Sequence, residues 1–239
     1  MDDVMTIAQR LKAGETLFTA WSGIPDSMTI ETVARTGFDA VTLDMQHGAH
    51  HADSVARGIL PILHAEKHAV VRVPVGRFDM ASRALDFGAE AVIAPMINSA
   101  EDARRFAAAM KYPPLGERSW GPTFGLPRRH RTPDIKAWLE NSNTETISFA
   151  MIETRRALDA LDDILEVPGI DAIFVGPGDF SIAWTNGEQI NTSLEDMMPA
   201  IEHIGKRALD AGKLTAIFAV DPSFAGRYAA MGYRFIALG

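Results

Sequence analysis

Short runs of consecutive apolar residues alternate along the chain with longer stretches in which apolar positions recur every three or four residues. The first pattern suits strands buried on both faces, and the second suits amphipathic helices packed against a sheet. Strands are expected near residues 18, 42, 71, 93, 149, 173, 216 and 236. Helices are expected over 3–13, 26–36, 51–66, 77–87, 99–110, 135–141, 154–165, 179–184, 195–211 and 221–231. Local punctuation supports these limits: Asp26 or Ser27 and Ser99 can cap helices, while Gly14, Gly37 and Gly88 can end them. The pattern breaks over 111–134, where five prolines and three glycines predict a long loop. Eight strand–helix units predict an α/β fold, a single (β/α)8 TIM barrel over 1–239, better than an open doubly wound sheet. No eighth helix is expected before Gly239, just after the eighth strand, so either a tail follows or another element covers that part of the barrel.

Composition narrows the function classes. A net charge of −8 argues against general attraction to nucleic acid or acidic membranes. With no cysteine, disulfides and thiolate metal sites are excluded. No apolar stretch reaches the ~18 residues that a membrane span needs. The start, Met1-Asp2-Asp3-Val4, lacks the basic-then-apolar order of a signal peptide, and a cytoplasmic protein is the expectation. The basic cluster Arg128-Arg129-His130-Arg131 lies among prolines and reads as a loop, either solvated or in a subunit contact, with a lid over an acidic substrate as the sharper alternative.

In a parallel barrel, chemistry gathers where the strands end. Those ends carry Trp21, Asp44 to His47, Arg72, Pro95, Glu153, Gly176 to Asp179, Phe218 and Gly239. Glu153 and Asp179 follow neighbouring strands, and two converging carboxylates repel unless a cation lies between them. An all-oxygen pair suits Mg²⁺ or Mn²⁺, with Co²⁺ able to substitute. The plainer alternative pairs Glu153 with an arginine and leaves Asp179 capping a helix. His47 is the candidate base, and Asp44 or Asp86 could orient its ring. Arg72 lies in a strand of valines, where it could form a structural pair with Asp44 or Glu153 or a forked contact to a substrate oxyanion. The turn Gly176-Pro177-Gly178 can aim backbone N–H groups at a carboxylate. His50 and His51 read as surface histidines at a helix start, and His64, His68, His130 and His203 as structural. None of the six lysines, at 12, 67, 111, 136, 206 and 213, falls at a C-terminal strand end, which disfavours imine chemistry. The loop after the seventh strand, Phe218-Ala-Val-Asp221-Pro222, makes a poor phosphate cradle.

Seven segments together resemble the metal-dependent (class II) pyruvate aldolases, the family of 4-hydroxy-2-oxoheptanedioate and 2-keto-3-deoxy sugar-acid aldolases. They are Asp44-Met-Gln-His47, Val71-Arg72-Val-Pro74, Leu85-Asp86-Phe-Gly88-Ala89, Ala94-Pro95-Met96, Tyr112-Pro-Pro-Leu-Gly116-Glu-Arg118-Ser, Met151-Ile-Glu153-Thr and Val175-Gly-Pro-Gly-Asp179. The resemblance implies that His47 accepts the proton, that Asp86 raises its basicity and that Arg72 stabilises the transition state. It further implies that Glu153 and Asp179 hold the divalent metal while Gly178 and Asp179 receive the pyruvate carboxylate through backbone N–H. A homohexamer with an exchanged C-terminal helix is also implied. Three positions depart from the family: Gln46 where Glu is frequent, Met151 where Gln is frequent, and Gly178 where Ala or Thr is common. Met151 removes an amide hydrogen bond and makes the pocket greasier.

The expected reaction is reversible aldol cleavage of a 4-hydroxy-2-oxo acid to pyruvate or hydroxypyruvate plus an aldehyde. Trp21, Trp120, Phe124 and Phe218 are candidates for the aldehyde side. A citramalyl- or malyl-CoA lyase, and a barrel that binds a 2-oxo acid without catalysis, are the competing readings.

Overall fold

The computed structural model describes residues 5–129 and 134–239. Eight parallel strands close into a barrel in chain order: β1 (Leu17–Ser22), β2 (Ala40–Asp44), β3 (His68–Arg72), β4 (Ala91–Ala94), β5 (Ile147–Ile152), β6 (Ala172–Val175), β7 (Leu214–Ala219) and β8 (Phe235–Leu238). β8 pairs with β1 to complete the ring. Every residue from β2 to β6 is buried, as expected for strands with helices outside and packed side chains inside.

Alternation along each strand sorts the side chains between two cores. Val41, Leu43, Val71, Val92, Ile152, Ile173 and Ile217 face outward and join the helices in one cluster. Leu17, Ala40, Val70, Ile93, Phe149, Phe174, Ala216 and Phe235 fill the barrel, joined by Ile7, Ala8 and Leu11 of the helix Ile7–Lys12. Phe149 and Phe235 stack inside at 5.2 Å, and Thr19 and Thr42 share a buried hydrogen bond of 2.9 Å. The same period of two carries the inward face upward to Trp21, Asp44, Arg72, Glu153, Gly176 and Phe218. The barrel's own parity therefore selects the top layer.

Helix limits follow local chemistry. The side chain of Asp26 caps Ser27–Ala34, His51 caps Ala52–His64 and Ser99 caps Ala100–Met110. Phe78–Phe87 ends at Gly88, whose φ of 111° is a left-handed conformation that a Cβ would oppose. Three expectations change. The 111–134 segment is not all loop, because Gly125–Arg129 forms a short helix. Residues 154–165 form two helices, Arg155–Asp159 and Leu161–Leu165. The 221–231 stretch begins as a 3₁₀ turn, Pro222–Phe224, before the helix Ala225–Ala230. The expected loop at Arg128-Arg129 is thus helical, while His130 and Arg131 lie outside the described residues.

Among the described residues, no helix is long and apolar enough to cross a membrane.

Candidate active site

A cavity of about 210 Å³ opens at the C-terminal end of the barrel, lined by Trp21, Arg72, Met151, Glu153, Gly176 to Asp179, Phe218 and Val220. Trp21, Arg72, Met151, Glu153, Gly178, Asp179 and Phe218 thus share one wall, although they come from β1, β3, β5 and β7 and the turns after them and after β6.

Asp44 organises the near side. It sits opposite Arg72 in the β2–β3 ladder. Arg72 donates to it through both Nε (2.9 Å) and Nη2 (2.7 Å). The indole N–H of Trp21 adds a third bond at 3.2 Å, and the backbone N–H groups of Gln46 and Gly48 donate at 2.9 and 3.0 Å. Burial alone would raise the Asp44 pKa, but the Arg72 fork and these donors outweigh it and hold the carboxyl below its ordinary range. The guanidinium is also stacked 4.8 Å from the Trp21 ring. Of the readings left open for Arg72, the pair with Asp44 is made through the fork, and the guanidinium also lines the cavity.

Glu153 is the opposite case. It follows β5 and is 1% exposed. Its Oε1 accepts the backbone N–H of Met96 at 2.7 Å, and no other donor reaches the carboxylate among the described residues. Burial, with the Asp179 charge adding to it, pushes its pKa up to about 7, against the opposing pull of the Met96 N–H and of Arg72. The arginine pairing considered for Glu153 is not made. Gly176 is required beside it: a Cβ there would lie 2.5 Å from Glu153 Oε2. Asp179 lies in the first turn of the helix Pro177–Trp184 and is exposed. The expected turn at 176–178 is the start of that helix. Its first intrahelical donor is Phe180, bonded to Gly176 O at 3.0 Å, so the N–H groups of Gly178 and Asp179 remain free for an anion.

A buried carboxylate that lacks a cationic partner and faces a second carboxylate fits a hard divalent cation. Glu153 and Asp179 would hold it and leave positions for substrate and water oxygens. No group of three or more His, Asp or Glu side chains gathers for a metal among the described residues.

Other expected residues lie elsewhere. His47 is exposed in the turn after β2, tied to Asp44 only through its backbone N–H at 3.4 Å, so Asp44 orients the loop and not the ring. Asp86 is bonded by Arg118 at 2.6 Å and has no bond to His47 among the described residues. Burial raises its pKa despite Arg118. Trp120 and Phe124 are off the cavity wall, packed on Tyr112 and Phe87. His50 is no surface histidine: it is buried between Ser22 (3.1 Å) and Ser54 (3.2 Å), stitching β1 to the helix Ala52–His64. Burial lowers its pKa, with Asp44 opposing. Lys111 is fully buried but is bonded to Thr146 O and Asp171 near the start of β5 and β6, at the end of the barrel away from the cavity. Met96, quoted from the sequence only within Ala94-Pro95-Met96, reaches Glu153 through its backbone N–H, a contact that no residue type signals.

The model of the HpcH/HpaI aldolase/citrate lyase family matches residues 18–239. The chain belongs to this family. Hydroxypyruvate/pyruvate aldolase of Roseovarius nubinhibens is 33% identical over 234 residues, 98% of this chain and 90% of that protein. 2-Keto-3-deoxy-L-rhamnonate aldolase of Klebsiella pneumoniae is 32% identical, covering 96% and 84%. The crystal structure of an HpcH/HpaI aldolase from Desulfitobacterium hafniense superposes with a TM-score of 0.88 at 26% identity, over 98% of this chain and 90% of that one. As an HpcH/HpaI family member the chain is an aldolase-type carbon–carbon lyase on a TIM barrel.

Proposed function

We propose that the chain is a class II aldolase that cleaves 4-hydroxy-2-oxo acids to pyruvate or hydroxypyruvate plus an aldehyde, and runs the addition in reverse. The observation that carries this reading is Glu153, a buried carboxylate with a pKa near 7 and no cationic partner, set beside Asp179 in the cavity that holds Arg72. These two carboxylates would hold Mg²⁺, Mn²⁺ or Co²⁺, which would supply Lewis-acid polarisation of the 2-oxo acid. The free N–H groups of Gly178 and Asp179 receive the substrate carboxylate at the helix start. The Asp44 fork fixes the plane of Arg72, whose charge faces the oxygen on which negative charge develops. In cleavage, His47 takes the proton of the C4 hydroxyl through water, and the O–H electrons form the aldehyde C=O. The C3–C4 bond breaks with its electrons forming the C2–C3 double bond, and the C2 carbonyl electrons move onto its oxygen. The enolate is then protonated at C3 by the proton that His47 holds, giving the keto acid. Met151 lies against the keto acid, and Trp21, Phe218 and Val220 give the aldehyde an apolar wall.

The acyl-CoA lyase reading is weaker. Among the described residues the cavity wall carries a single cation, Arg72, already paired with Asp44, so CoA phosphates find no counter-charge. For the homohexamer, the exposed side chains of Leu115, Trp120 and Phe124 offer apolar contact area.

The test is turnover of pyruvate or hydroxypyruvate with a series of aldehydes, in Mn²⁺ and in EDTA. His47→Ala is expected to lose turnover while keeping Mn²⁺ affinity. Aldol turnover that persists in EDTA refutes the class II mechanism.

A further inference from the structure

Met96 has a left-handed backbone, with φ 56°. Two other described non-glycine residues share this, Glu66 and Asn186, and both follow helix ends. Met96 instead follows β4, and it turns there to aim its N–H at Oε1 of Glu153 (2.7 Å). Such a backbone is disfavoured for any residue with a Cβ and persists only when neighbours hold it.

The neighbours are identifiable. Asn98 Nδ2 donates to the Met96 carbonyl at 3.1 Å. Asn98 Oδ1 accepts the hydroxyl of Thr154, the residue after Glu153. The Thr154 hydroxyl also accepts the N–H of Ala157 at 3.0 Å as a helix cap, so its own proton goes to Asn98. That assignment leaves the Asn98 amide one orientation, with Oδ1 toward Thr154 and Nδ2 toward Met96. A closed ring results: Glu153 is bonded by Met96, Met96 by Asn98, and Asn98 by the residue covalently joined to Glu153.

We propose that Asn98 and Thr154 are positioning residues for Glu153. They lock the turn at Met96, so that its N–H pins Oε1 and the other oxygen, Oε2, is presented to a divalent cation. The proposal rests on the reading that Glu153 holds that cation, and it adds a residue pair that sets the affinity.

The test measures Mn²⁺ binding to the full chain by calorimetry, alongside the melting temperature without metal. Asn98→Ala is expected to weaken Mn²⁺ binding roughly tenfold, the usual scale for residues that orient metal ligands. Asn98→Asp keeps the acceptor for Thr154 but loses the donor to Met96; it should weaken binding similarly and serves if the alanine variant folds poorly. Thr154→Ser keeps hydroxyl and cap and should bind like the wild type. Ser99→Ala removes the adjacent helix cap, and should lower the melting temperature without changing Mn²⁺ affinity. Wild-type affinity in Asn98→Ala and Asn98→Asp, with binding lost in Glu153→Gln, overturns the positioning role alone. An affinity loss in Ser99→Ala equal to that in Asn98→Ala does so too, because the effect is then general destabilisation. Wild-type affinity in Glu153→Gln overturns the cation reading and this proposal with it.

Discussion

Glu153 makes the metal-free protein sensitive to pH in a direction that can be worked out. Its pKa stands at about 7 against an ordinary 4.5, so burial disfavours the ionised carboxyl by about 3 kcal/mol. At 1% exposure the group has no solvent to screen it. Below pH 4.5 the folded and unfolded chains both keep this proton, and the penalty is absent. Between 4.5 and 7 the unfolded chain ionises first, so stability falls as pH rises, and the loss is complete above about 7. Other groups titrate too, and Glu153→Gln isolates this one by removing its charge. In EDTA, the wild type should lose about 3 kcal/mol more than the variant between pH 4.5 and 8. That corresponds to a difference of roughly 6–12 °C in melting temperature for a chain of this length. If Glu153 holds the cation as proposed, cation and proton compete for one carboxylate, and wild-type Mn²⁺ affinity should fall about tenfold from pH 8 to pH 6. Differential scanning calorimetry at several pH values is sufficient. Parallel curves of melting temperature against pH for wild type and Glu153→Gln would refute the argument.

Gly176→Ala places a Cβ 2.5 Å from Glu153 Oε2 and 3.0 Å from Met151 Cε; calorimetry should show Mn²⁺ affinity reduced by about tenfold or more, and unchanged affinity would mean that Oε2 does not face the cation. Met151→Gln supplies an amide to the cavity wall, and one net hydrogen bond of about 1 kcal/mol predicts roughly fivefold higher kcat/KM for the keto acid; a decrease in steady-state assays counts against placing the keto acid there. Arg72→Lys loses the forked contact to Asp44 and the plane it fixes, and kcat should fall about 10²-fold with Mn²⁺ affinity retained; a kcat near wild type would remove Arg72 from charge stabilisation.

Much of the barrel was legible because strands buried on both faces must be apolar throughout, and eight such runs separated by amphipathic stretches leave few other architectures. Strand ends then named Trp21, Arg72, Glu153 and Phe218, all on the cavity wall. Partnerships were another matter. Asp44 was considered as a support for the His47 ring, but it binds Arg72 from the facing register position of β3. Asp86 was assigned to His47, and within the chain it is bonded to Arg118, on the 111–134 segment. His50 was read as a surface residue, yet the closing of β1 against the helix Ala52–His64 buries it. Trp120 and Phe124 were candidates for the pocket and pack elsewhere.

By itself, the sequence determined the strand–helix alternation, the helix caps and the chemical identity of each strand end. These depend on residues only a few positions apart, where propensity and period act directly. The tertiary structure decided which charge neutralises which, and which is left without a counter-charge. Arg72 goes to Asp44, 28 residues away, and Glu153 receives only an N–H from Met96, 57 residues away. Such choices turn on ångström-scale distances across a closed ring, and electrostatic energy is steep in distance and in burial.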